Sequence, residues 1–290
     1  AAPRGGWPCL GRPGAAAGLM LPLSDWPLAE RRAIRGVFTD IDDTLTTHGA
    51  ITPDALAALG ALRAAGLTVI AITGRPVGWS EPKARAWPVD AIVAENGAVA
   101  LVSEKNSLTP ASDGHPALSK IYQLDAATRQ AHTRRLRQAA ERVLREVPGV
   151  SLARDSAGRE TDIAFDHAEF ASLTATQIDA IEAVLRAEGL HTTRSSIHTH
   201  GAVSPGDKWT GAVWAVRTLL GRDLTQELDC WVAVGDSGND EAMFRHFRHS
   251  VGVANIRLAA PRMQALPSYV TTAERGAGFA EFAQTLLQHG

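Results

Sequence analysis

From Arg35 onward the chain alternates short unbroken apolar runs with longer stretches in which apolar residues recur every three or four positions. Residues 36–39 form the first such run and predict a buried strand that enters Asp40. Thr52 and Pro53 then open a helix whose Leu56, Leu59 and Leu62 share one face and which Gly66 closes. Residues 67–72 predict a β-branched strand ending in Thr73-Gly74-Arg75-Pro76, and residues 90–94 another, followed by the turn Glu95-Asn96-Gly97 and a hairpin through Leu101. Strands that do not alternate, each followed by a helix, are buried on both faces. The fold class is therefore α/β, with a Rossmann-like doubly wound parallel sheet.

The pattern changes in the middle of the chain. Residues 108–116 form a Pro/Gly/Ser-rich break, followed by a long helix over 125–147, short strands at 150–153 and 162–165, and a second helix over 174–188. A strand then leads into Ser195-Ser196-Ile197-His198. Two helices with antiparallel-looking strands predict an inserted α+β domain. The parallel order resumes with a helix over 208–220, strands at 230–234 and 251–254, and a last helix over 279–287. The domain division is a core at 33–107 and 201–290, a cap at 108–200, and an N-terminal tail at 1–32 that is disordered or over-extended, with Met20 as a plausible start.

Composition narrows the function classes. A net charge of −2 from 29 basic and 31 acidic residues excludes the strongly basic stripe of a nucleic-acid binder. No run is long and apolar enough for a membrane span, and the first 19 residues lack an apolar signal-peptide core, so the cytoplasm is the expected location. Cys9 and Cys230 lie far apart in unlike contexts and are expected to stay unbonded. Among the 29 basic residues only four are lysines, at 83, 105, 120 and 208. In a chain that uses arginine so heavily, Lys208 marks a position where a compact ammonium is needed and a planar guanidinium would not serve.

Three charged clusters fall just beyond the carboxyl ends of predicted parallel strands, where an open α/β sheet presents its crevice. They are Asp40-Ile41-Asp42-Asp43-Thr44, Thr73-Gly74-Arg75, and Lys208 with Gly235-Asp236-Ser237-Gly238-Asn239-Asp240. Carboxylates gathered at one site need a cation, and oxygen ligands of this kind suit Mg²⁺ together with a substrate phosphate. An Asp can act as a nucleophile towards phosphorus, and a second Asp two residues on as general acid and base. Lys208, the Thr73 hydroxyl and backbone N–H groups near Gly74 would hold phosphoryl oxygens.

These clusters resemble the haloacid dehalogenase superfamily of phosphohydrolases. Asp40-Ile41-Asp42-Asp43-Thr44 matches its D-x-D-x-T motif, Thr73 its second motif, Lys208 its third and residues 235–240 its acidic fourth, and the resemblance covers about 33–290. It implies Asp40 as nucleophile, Asp42 as acid/base, and Mg²⁺ on the Asp40 side chain, the Asp42 backbone carbonyl and Asp236, with Asp240 a further ligand or a supporting partner. Asp43 departs from the Gly that relatives often carry. An Asp at position 42 sets the chain apart from the superfamily's dehalogenases and transport ATPases.

Between Thr44 and Thr73 lie 28 residues, and between Lys208 and Asp236 27, enough for one helix and one strand each. The 134 residues between Thr73 and Lys208 must hold the insertion. This placement, and the turn Glu95-Asn96-Gly97-Ala98, resemble the Cof-like, subfamily IIB branch, which includes sucrose-phosphate and trehalose-phosphate phosphatases and eukaryotic-type phosphomannomutases. The implied function is a Mg²⁺-dependent phosphomonoesterase acting on a small phosphorylated metabolite, a sugar or polyol phosphate. A phosphomutase or a non-catalytic phospho-ligand sensor is the alternative. Candidate substrate contacts are Arg75, Asn96, Asn239 and the strand face carrying Ser196, His198 and His200, whose other reading is a pair of surface histidines. Arg159, Asp162 and Asp166 read as solvated charge, and Trp79 as part of a loop over the crevice.

Overall fold

In a computed structural model, residues 20–103 and 117–288 are described. A nine-stranded sheet runs in the spatial order Leu21–Pro22, Tyr269–Val270, His249–Gly252, Trp231–Gly235, Gly36–Thr39, Thr68–Ile72, Ala91–Ala94, Val99–Ser103 and Leu118–Tyr122. The first seven run parallel to one another; Val99–Ser103 then pairs antiparallel with Ala91–Ala94, and Leu118–Tyr122 antiparallel with Val99–Ser103. The α/β doubly wound class read from the sequence is the observed one.

Both sheet faces are covered, so the strands are apolar throughout. Val37, Val69, Val232 and Val234 pack on one side with the helices Pro53–Ala64 and Arg275–Leu287. Phe38, Ile70, Val93 and Trp231 pack on the other with the helix Lys208–Leu220. Strand Gly36–Thr39 is central, and Thr39 pairs with Ala71 on one side and Val234 on the other. Asp40, Thr73 and Asp236 therefore leave the sheet together at the carboxyl ends of neighbouring interior strands, at the point where the chain winds in opposite directions.

A second, three-stranded antiparallel sheet holds His191–Arg194, His198–Ala202 and Asp162–Asp166 in that order. The helices Ala126–Glu146 and Ala175–Ala187 pack on it through Leu136, Val143, Phe165, Ile181 and Leu185.

Several expectations change. Residues 20–32, read as tail, contribute the edge strand Leu21–Pro22 and bury Trp26, which stacks on Tyr269 at 5.5 Å and on Phe282 at 6.3 Å. Strand Leu118–Tyr122, placed in the insertion, pairs with Val99–Ser103 in the large sheet. Residues 77–86 form a helix where a loop was expected, because Pro76 at its N-cap and Pro82 within it mask the periodicity. Around 150–153 the structure has only an isolated bridge, Leu152 to Phe165. Cys9, and with it the expectation about its pairing with Cys230, lies outside the described residues, as does the expected tail at 1–19. Among the described residues, no helix is long and apolar enough to cross a membrane.

Candidate active site

Lys208 is the first residue of its helix, a position where the helix dipole disfavours a cation. It is fully buried, and its Nζ donates to Asp40 Oδ1 at 2.5 Å and to Asp240 Oδ1 at 2.7 Å. Burial alone would lower the ammonium, but Asp240 and Asp40 outweigh it and hold Lys208 above the usual lysine range. The other Asp240 oxygen accepts from the backbone N–H groups of Asp236 and Ser237, at 3.0 and 3.1 Å. Asp240 thus ties the acidic loop to Lys208.

One ligand atom from each of Asp40, Asp236 and Asp240 lies within 4.8 Å of the others, and all three residues are buried. Burial pushes the Asp40 carboxyl up to about 8, Lys208 pulling it down and Asp240 and Asp42 adding to the rise. Asp236 is raised well above the carboxylate range, first by burial and then by Asp40 and Asp240. With all three ionised, these carboxylates would exceed the one ammonium by two charges, and burial favours the protonated forms of Asp40 and Asp236. This set of oxygen donors fits a divalent cation. Asp236 is oriented by Asn255, whose Nδ2 donates to Asp236 Oδ2 at 2.9 Å and to the Asp43 carbonyl at 3.0 Å. The Asn255 Oδ1 accepts from Arg275 N at 2.9 Å. Asp43 has φ 55°, a left-handed conformation that glycine adopts freely, which gives a physical reason for the Gly of the resembling motif. Its side chain pairs with Arg275 at 3.0 Å.

Asp42 is not one of the three clustered carboxylates and pairs instead with Arg75. The Arg75 Nε donates to both Asp42 oxygens at 3.0 and 2.9 Å, and Nη2 to Oδ1 at 2.9 Å. Burial raises the Asp42 carboxyl, and Arg75 opposes that rise. Arg75 also meets two residues of the smaller unit, Asp155 at 3.1 Å and Glu169 at 2.6 Å. Trp79 lies against it, the guanidinium 4.9 Å from the ring centroid, and stands in the helix Val77–Ala86 packed against the core rather than in a loop over the crevice.

Thr73 is fully buried; its N–H donates to Val93 O, and its Oγ1 accepts from Arg75 N at 3.1 Å. At Gly74 a Cβ would stand 3.0 Å from the His200 ring, so the absent side chain lets His200 close over this motif. Asn96 and Asn239 bond each other, Asn239 Nδ2 to Asn96 Oδ1 at 3.2 Å.

The surface-histidine reading does not hold. His198 and His200 are 1% and 2% exposed, with ring centroids 5.9 Å apart on the shared face expected from alternation. His200 Nδ1 lies 3.2 Å from Asp162 Oδ2, and His198 Nε2 3.0 Å from Glu169 Oε2. Burial, with Arg159 and His198 nearby, drives His200 well below the usual imidazole range, so it is neutral. Ser196 does not join that face, because the strand starts at His198 and Ser195–Ile197 form the turn before it. Arg159, Asp162 and Asp166, read as solvated, are shielded from solvent: Arg159 donates to Asp162 Oδ1 at 2.8 Å and to the Gly74 carbonyl at 3.0 Å, and Asp166 accepts from the N–H groups of Glu169 and Phe170.

Asn255, Asp155 and Glu169 are absent from the sequence reading. Asn255 follows strand His249–Gly252 at the same sheet edge as Asp40, a positional signal that could have found it. Asp155 and Glu169 stand in loops with nothing local to separate them from surface charge.

Comparisons with known proteins bear on the family and the fold. Residues 37–123 match the family model of haloacid dehalogenase-like hydrolases. No curated protein matches the chain by sequence. Among solved structures, a Thermoplasma acidophilum protein superposes with a TM-score of 0.63 at 17% identity, over 87% of this chain and 98% of its own. The C-terminal domain of trehalose-6-phosphate phosphatase from C. albicans gives 0.62 at 13% identity, over 94% and 99%. Sucrose-phosphatase from Synechocystis gives 0.59 at 14% identity, over 87% and 97%. The fold is that of the haloacid dehalogenase-like hydrolases, and the resemblance drawn from the four motifs is borne out.

Proposed function

We propose that the protein is a Mg²⁺-dependent phosphomonoesterase for a small phosphorylated metabolite, a sugar or polyol phosphate, and that the smaller α+β unit is its cap. The observation that carries this reading is the meeting of Asp40, Asp236, Asp240 and Lys208 at the carboxyl ends of the parallel strands, buried and short of positive charge. Mg²⁺ held by the Asp40 and Asp236 carboxylates and the Asp42 carbonyl, with Asp240 alongside, would neutralise charge on the phosphoryl oxygens.

In this reading Asp40 attacks phosphorus in line, and the ester bond to the leaving oxygen breaks. Asp42 delivers a proton to that oxygen, then takes one from the water that cleaves the aspartyl-phosphate, so the enzyme returns to its starting state. Lys208 and Thr73 hold phosphoryl oxygens throughout. The docked cap excludes water and places His198 and His200 near the second motif, where they help read the leaving group.

Similar folds in a sucrose-phosphatase and a trehalose-6-phosphate phosphatase support a sugar phosphate as the substrate class. A screen of sugar, polyol and glycerate phosphates with Mg²⁺ tests it. Phosphate release from at least one sugar or polyol ester is expected. Transfer without release, dependent on a bisphosphate, would make the protein a mutase, and no turnover of any ester would leave a sensor.

A further inference from the structure

The Arg75 guanidinium is 4% exposed and has five N–H donors, all directed at carboxylates. Nε and Nη2 hold Asp42 of the core. Nη1 donates to Asp155 Oδ2 at 3.1 Å and Glu169 Oε2 at 3.2 Å, and Nη2 to Glu169 Oε1 at 2.6 Å. Asp155 and Glu169 both belong to the cap. Each is braced on its far side: Asp155 Oδ1 accepts from Arg159 Nη2 at 3.3 Å, and Glu169 Oε2 lies 3.0 Å from His198 Nε2. Arg159 in turn donates to the carbonyl of Gly74, the residue before Arg75. The cap therefore grips the Arg75 side chain and the carbonyl of the peptide that precedes it, and Arg75 grips the proposed acid/base.

A planar guanidinium with every donor used has one orientation, set by all its partners together. Removing the cap carboxylates frees one edge of Arg75 and lets the opposite edge rotate away from Asp42. Resting on the phosphatase reading above, we infer that Asp155 and Glu169 are positioning residues that act through Arg75 to aim Asp42, so the acid/base is aligned only while the cap is docked. Cap closure and acid catalysis then share one contact, and neither Asp155 nor Glu169 needs to touch the substrate.

The test compares two esters that differ in their need for a general acid. Phenyl phosphate has a poor leaving group and depends on protonation; p-nitrophenyl phosphate depends on it far less. Wild-type turnover of p-nitrophenyl phosphate with Mg²⁺ tests the phosphatase reading by itself, and its absence would remove both claims. Given that turnover, Glu169→Gln and Asp155→Asn should each lower the phenyl-to-nitrophenyl ratio of kcat by about tenfold. In an Arg75→Lys background, adding Glu169→Gln should change that ratio by less than about twofold, since the pathway is already broken. Either single variant suffices if the other does not fold. Equal losses on both esters, no loss on either, or full additivity with Arg75→Lys would overturn the inference and leave the cap carboxylates a structural role.

Discussion

Gly97 and Gly211 meet backbone to backbone: a Cβ on Gly211 would stand 2.3 Å from the Gly97 Cα, and one on Gly97 2.7 Å from the Gly211 Cα. This contact seats the helix Lys208–Leu220 on the turn Glu95–Gly97 and so sets how deeply Lys208 reaches towards Asp40. Gly211→Ala should displace the helix, cost about 1–3 kcal/mol by overpacking and lower kcat by about tenfold or more through the misplaced ammonium. Urea unfolding together with kcat measures both. Unchanged values would mean that the helix is not seated by this pair.

Lys208→Arg should lose most activity although the charge is kept. The Nζ fits between Asp40 and Asp240 with no exposed surface, and a guanidinium is too broad for that space. A fall in kcat of about 10²-fold or more is expected, with circular dichroism checking that the fold persists. Activity near wild type would remove Lys208 from the phosphoryl site.

Asn255→Ala should weaken Mg²⁺ activation. Asn255 fixes one Asp236 oxygen and the Asp43 carbonyl, so its loss leaves Asp236 free to rotate. Groups that orient a metal ligand are worth about 10–100-fold in metal affinity. A titration of activity against Mg²⁺ should show the half-saturating concentration raised by that factor, with kcat at saturating Mg²⁺ recovering much of its value. An unchanged midpoint would separate Asn255 from the cation.

His167 gives a pH-dependent stability. Burial lowers its imidazole to about 4, against an ordinary value of 6.5. The folded state thus favours the neutral ring, and its contribution is present above pH 6.5 and lost as pH falls towards 4. Relative to His167→Phe, the wild type should lose up to about 3 kcal/mol over that window, read from denaturant midpoints at several pH values. A pH-independent difference would place the charged imidazole comfortably in the fold.

Lys208, at the start of its helix, stood out by the scarcity of lysine in the chain. The other three of the four motifs were legible because they follow apolar strands, where a carboxylate or a threonine has no solvated alternative. The fold class was legible for the same reason, since strands Gly36–Thr39, Thr68–Ile72 and Trp231–Gly235 carry no polar alternation. The cap side of the site was harder to read. His198 and His200 emerged by alternation, but nothing local shows that Arg159, Asp155 and Glu169 are packed against Arg75 and Gly74, or that Asp162 backs Arg159. Their shielding from solvent is created by a contact between residues some 80–95 positions apart, and charge in a loop looks the same whether or not a second unit covers it. The strands Leu21–Pro22 and Tyr269–Val270 escaped for a simpler reason, being only two residues long.

The most direct test is Mg²⁺-dependent phosphate release from an aryl phosphate by the wild type and by Asp40→Asn. The variant keeps the size of the side chain but cannot attack phosphorus, so release should fall to background while circular dichroism stays unchanged. Near wild-type release by a folded Asp40→Asn protein would contradict the account at its centre.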